Sequence, residues 1–70
     1  MNGGVMLIKI NGQPLFETEI SLGRYLDDKG YNRLRIAVER NGTIIPKSAY
    51  DTTLLQDKDT VEIVQFVGGG

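Results

Sequence analysis

Apolar residues along the chain fall into short runs separated by polar turn residues. Val5 to Ile10 is apolar and rich in β-formers, with Lys9 interrupting the run. Asn11-Gly12 follows, a dipeptide that accepts positive φ and signals a hairpin. Gln13 to Glu19 reads as the returning strand. Ser21 then offers an oxygen to a free N–H of a new helix. Ile20 and Tyr25 flank it as a hydrophobic staple. Leu22, Tyr25 and Leu26 recur at helical spacing, so a helix is predicted over Leu22 to Lys29, with these three facing a sheet. Gly23 weakens it by about 1 kcal/mol relative to Ala, and Gly30 stops it. Leu34, Ile36 and Val38 alternate with Arg35, Ala37 and Glu39, the period of a strand. Asn41-Gly42 marks a second hairpin into Thr43-Ile44-Ile45, which Pro46 ends or confines to an edge. Lys47 to Leu55 reads as irregular or one helical turn, with Leu54 or Leu55 plugging the core. Asp57-Lys58-Asp59 is a turn, and Thr60 to Val67 is a last strand. The order is β, β, α, β, short β, β, an α+β arrangement of four to five strands with one helix across one face.

Seventy residues, 40% hydrophobic and 24% charged, make one small domain with a limited core. Net charge is −1. That balance speaks against broad electrostatic binding of nucleic acid. Arg24, Arg33, Arg35 and Arg40 are a candidate basic patch, with a solvated face as the preferred reading. Cysteine and histidine are both absent. Disulfides and triads of the Ser-His or Cys-His kind are thereby excluded, and a zinc site loses its usual ligands. No apolar run has the length of a membrane span, and the N-terminus lacks the pattern of a signal peptide. A cytoplasmic protein is the expectation.

The chain ends Val67-Gly68-Gly69-Gly70. A frayed end is one reading of such a tail. A phosphate loop is not, because no helix follows the glycines. A functional arm is the other reading. Glycines without side chains thread a narrow channel, and Val67 to Gly70 extended reaches about 13 Å. Ordering each residue costs about 1–2 kcal/mol, so docking of the globular body must offset it. A carboxylate delivered this way becomes a good electrophile once adenylated. The chain has no Walker-type motif and no nucleophile–base pair, so it is read as the substrate of an activating enzyme. Asp57 with Asp59, and Asp27 with Asp28, are candidate acid–base pairs, but both are read as turn and helix-end residues that favour solubility.

Ile36-Ala37-Val38-Glu39-Arg40-Asn41, Ile45-Pro46, Leu55-Gln56-Asp57-Lys58-Asp59, Val61-Glu62-Ile63-Val64 and Val67-Gly68-Gly69-Gly70 keep the order and spacing of a known family. The chain resembles ThiS, the ubiquitin-like sulfur carrier of thiamine biosynthesis, from about Met6 to Gly70. The resemblance implies a β-grasp fold and a non-enzymatic role. It places a leader at residues 1–5, the domain at 6–66 and a flexible reactive tail at 67–70. It implies that the Gly70 carboxylate is adenylated by a ThiF-like adenylyltransferase, which uses ATP and magnesium that this chain does not itself bind. A sulfur donor protein then supplies the thiocarboxylate sulfur, which passes to a ThiG-like thiazole synthase. Gly69 and Gly68 extend the tail, and Phe66 and Val67 are candidate docking residues, with strand-end packing as their alternative. The free carrier is expected to be a monomer. Lys58 stands where the family usually has glycine. If that turn requires positive φ, Lys58 costs about 1 kcal/mol. A MoaD-like carrier, or one feeding cysteine synthesis, is the nearest alternative. The prolines of a MoaD-like Phe-Pro-Pro-Val approach are missing before these glycines. A non-covalent β-grasp interaction module, binding through a sheet edge, is the alternative from a different class.

Overall fold

The computed structural model describes residues 4–67. Five strands form one mixed sheet in the order β2-β1-β5-β3-β4. They are β1 (Met6–Ile10), β2 (Gln13–Glu17), β3 (Ile36–Arg40), β4 (Thr43–Ile45) and β5 (Thr60–Gln65). One helix, α1 (Leu22–Asp28), crosses one face. β1–β2 and β3–β4 are antiparallel hairpins. β5 lies between them, parallel to β1 and antiparallel to β3. The last strand in sequence is therefore the middle strand in space. Among the described residues no helix is long and apolar enough to cross a membrane.

Both hairpins turn on their Asn-Gly pairs. Asn11 and Gly12 have φ of 52° and 81°, and Asn41 and Gly42 have 53° and 85°. Two successive residues with positive φ match the right-handed twist of the flanking strands. β1 begins one residue later than its apolar run, and β2 ends at Glu17, two residues short of the expected Glu19.

The helix forms as its caps dictate. Ser21 Oγ accepts from the Arg24 N–H at 3.5 Å. Gly30, at φ 79°, follows the last turn, and the Tyr31 N–H reaches back to the Leu26 carbonyl at 3.0 Å. This is the Schellman ending that glycine permits. Lys29 caps the helix and is not part of it. Leu22 and Leu26 are fully buried, and Tyr25 packs half-buried at the rim.

The core joins Ile8 and Ile10 of β1, Ile36 and Val38 of β3, and Val61 and Ile63 of β5 to Ile20, Leu22 and Leu26. Each strand contributes alternate residues, as its period requires. Leu55 plugs the core, whereas Leu54 is half-exposed. Between β4 and β5, Lys47–Thr52 forms a 3-10 helix whose Tyr50 is only 1% exposed. Tyr50 is a core residue that no periodicity announced.

Leu34 departs from the expected strand. It lies in a 3-10 turn, Arg33–Arg35, and is 80% exposed. Asn32 Oδ1 accepts the Leu34 N–H at 3.0 Å, and the Asn32 carbonyl accepts the Arg35 N–H at 2.9 Å. This local turn outcompetes the ladder, so pairing starts only at Ile36.

Candidate functional site

The central strand leads directly into the C-terminal segment. Ile36 pairs with Gln65, and the Phe66 N–H still donates to the Arg35 carbonyl at 2.8 Å. Regular pairing ends there, two residues before the glycines. Gly68, Gly69 and Gly70, like residues 1–3, lie outside the described residues.

The launch point is apolar and open to solvent. Phe66 is 52% exposed and Val67 87%. Phe66 is half-covered just past the end of β5, and Val67 stands almost fully in solvent. Val64 and Ile44 are half-exposed as well. Val64 and Phe66 share the face of the sheet opposite the helix with Ala37 and Ile44, because strand residues two apart point the same way.

Two asparagines and one aspartate hold the root of β5. The Asn11 N–H donates to the Val61 carbonyl at 2.8 Å, and Asn11 Oδ1 accepts the Ile63 N–H at 2.7 Å. Asn41 clasps the other side. Its N–H donates to the Thr60 carbonyl at 2.8 Å, and its Oδ1 accepts the Thr60 N–H at 2.9 Å. The amide of Asn41 also donates to Asp59 Oδ1 at 2.9 Å.

Asp59 is 6% exposed and is the only buried charged or polar residue among those described. Its Oδ2 accepts Arg40 Nε at 2.8 Å and the Gln56 N–H at 2.7 Å. Burial acts to raise its pKa. The Gln56 N–H, the Asn41 amide and the Arg40 guanidinium outweigh burial and hold the carboxyl below its ordinary value. Asp59 was read as a solubility residue of a turn, and the structure corrects this to a buried anchor. Turn aspartates that reach nearby backbone N–H groups are the signal that marks it. Asp57 also has a structural task, with Oδ1 accepting the Leu7 N–H at 2.8 Å.

Three arginines of the candidate basic patch are taken up in ion pairs within the chain. Arg33 bridges Asp27 at 3.2 Å and Asp51 at 2.7 Å, and donates to the Gly23 carbonyl at 3.1 Å. It thus ties α1 to the 3-10 helix that carries Tyr50. Arg40 pairs with Asp59, and Arg24 faces Asp28 at 3.9 Å on the surface. Asp27 and Asp28 are therefore drawn to different arginines and do not act as a pair.

A five-stranded sheet gripping one helix, with a clamped middle strand that runs into an exposed C-terminal segment, defines the ubiquitin-like β-grasp class. Residues 6–70 match the ThiS family, and the chain belongs to that family. It resembles the thiamine biosynthesis protein ThiS of Geobacter metallireducens, with a TM-score of 0.75 and 30% identity over 93% of this chain and 100% of that one. It is 54% identical over 35 residues to the sulfur carrier protein ThiS of Bacillus subtilis, covering 50% of this chain and 53% of that protein. It is also 39% identical over 66 residues to the thiazole synthase of Paramagnetospirillum magneticum. That match takes in 93% of this chain but only 20% of the enzyme, so the chain spans one fifth of that relative's length.

Proposed function

We propose that this chain is the sulfur carrier of thiazole formation in thiamine biosynthesis, acting in the cytoplasm as a co-substrate and not as an enzyme. The Gly70 carboxylate attacks the α-phosphate of ATP in a ThiF-like adenylyltransferase, which supplies the magnesium. Pyrophosphate leaves, and an acyl adenylate forms. A persulfide on a donor protein then attacks the Gly70 carbonyl and displaces AMP, leaving an acyl disulfide. A second thiol of the donor reduces that disulfide, releasing the thiocarboxylate and a donor disulfide. The resulting thiocarboxylate is the sulfur source for a ThiG-like thiazole synthase.

The observation that carries this reading is the placement of β5. The middle strand of the sheet ends in exposed Phe66 and Val67 immediately before three glycines. A rigid body thereby presents a narrow, side-chain-free arm, and its apolar root is available to offset the entropy of ordering it. The free carrier is a monomer, consistent with the prolines at both outer edges of its sheet, Pro14 in β2 and Pro46 just after β4.

Intact-mass spectrometry tests the reading. With the cognate adenylyltransferase, ATP and a sulfide source, the mass should rise by the difference between sulfur and oxygen. An unchanged mass with an enzyme shown to be active would sink the proposal.

A further inference from the structure

The β1–β2 hairpin is too short to cover the whole of β5. β1 pairs only with Thr60 and Val61, and its turn begins at Asn11. Glu62 to Gln65 therefore run on past the hairpin.

Hydrogen bonding shows which backbone groups this leaves open. Even-numbered residues of β5 face β3: the Thr60 carbonyl accepts from Asn41, and the Phe66 N–H donates to Arg35. Odd-numbered residues face the other way: the Val61 carbonyl accepts from Asn11, and the Ile63 N–H donates to the Asn11 side chain. After that bond the edge is bare. The Ile63 carbonyl and both backbone groups of Gln65 have no hydrogen-bond partner among the described residues.

The two outer edges of the sheet differ from this one. Pro14 lies opposite Lys9, and the Lys9 N–H points to β5, so the nitrogen of Pro14 faces outward and brings no donor. β4 is three residues long and is followed by Pro46. Proline and short length blunt an edge against strand addition. The β5 overhang has no proline.

Resting on the function proposed above, we infer that this overhang is a strand-addition site for an extended segment of thiazole synthase. Gly68 to Gly70 offer a partner only main-chain N–H and C=O groups and a carboxylate. A ladder made at Ile63 and Gln65 uses the same kind of main-chain groups. It fixes the register of the arm and so the depth to which Gly70 reaches. Thiazole synthase is the occupant because its Paramagnetospirillum form carries a segment like this chain within its own polypeptide.

Hydrogen exchange on the carrier, free and saturated with the thiazole synthase of the same genome, tests this. Exchange of the Gln65 amide should slow at least about tenfold in the complex, as loss of one well-made hydrogen bond to water access implies. Gln65→Pro removes that N–H without touching the β3 ladder. It should weaken binding about tenfold, whereas Gln65→Ala should bind as the parent does. A Gln65 amide unprotected in a saturated complex overturns the inference, whatever the proline variant does, and leaves the carrier function standing. A parent chain that does not bind the enzyme at all overturns the functional reading and this inference together.

Discussion

At the scale of single residues, two positions carry backbone demands that the side chain either meets or resists. Gly23 reads in sequence as a weak point of α1. In the fold it is the point where α1 meets the Tyr50 segment. A Cβ there would stand 2.8 Å from the Arg33 guanidinium and 3.1 Å from the Tyr50 carbonyl, and would collide with the Asp51 carboxylate. Gly23→Ala should therefore lower stability by about 1–3 kcal/mol, against the gain of about 1 kcal/mol that helix propensity alone promises. A urea titration measures which wins. Lys58 is the converse case. Its φ is 73°, so the turn does require the left-handed region. Lys58→Gly should stabilise the fold by about 0.5–1 kcal/mol, since relief of native strain exceeds the added freedom of the unfolded chain. The expected rise in Tm is about 2–8 °C.

At the scale of elements, β5 depends on Asp59 for its start. Its folded-state pKa is lowered, so Asp59 contributes stability that is fully present above its unfolded pKa. That contribution is lost as pH falls through the folded value. Tm should thus fall below about pH 4. Asp59→Asn should flatten this acid limb and cost about 2 kcal/mol at neutral pH, because Arg40 and the Gln56 N–H lose their charged acceptor. Thermal melts of both proteins across an acid series check the pair of outcomes. The strands and α1 were legible because apolar alternation and Asn-Gly turns act locally. What was not legible lay outside those two signals. Leu34 kept the strand period but lost its place to the Asn32 turn. Tyr50 reaches the core from a 3-10 segment that has no period to read. The three-sided clamp of Asn11, Asn41 and Asp59 needs residues up to 52 positions apart.

At the scale of the whole molecule, the proposed function separates stability and reactivity into different parts of the chain. Among the described residues, every buried core residue lies between Ile8 and Ile63. Glycines have no side chain to add to that core. Composition alone marked the glycine tail as a candidate arm, with a frayed end as the other reading. It did not show how the body aims it, because the central position of β5 follows from pairing across the whole chain. The separation has a measurable consequence. Removing Gly69 and Gly70 should leave Tm within about 1 °C of the parent. The same truncation should abolish the sulfur-for-oxygen mass change, because the carboxylate then ends short of the nucleotide. Val67→Ser is the informative partner variant. Val67 is 87% exposed, so its loss should also leave Tm unchanged. If the apolar root offsets the cost of ordering the arm, this variant is modified more slowly at subsaturating adenylyltransferase and at the parent rate when enzyme is in excess. A rate unchanged at every enzyme concentration would mean that the arm is held by its backbone and carboxylate alone.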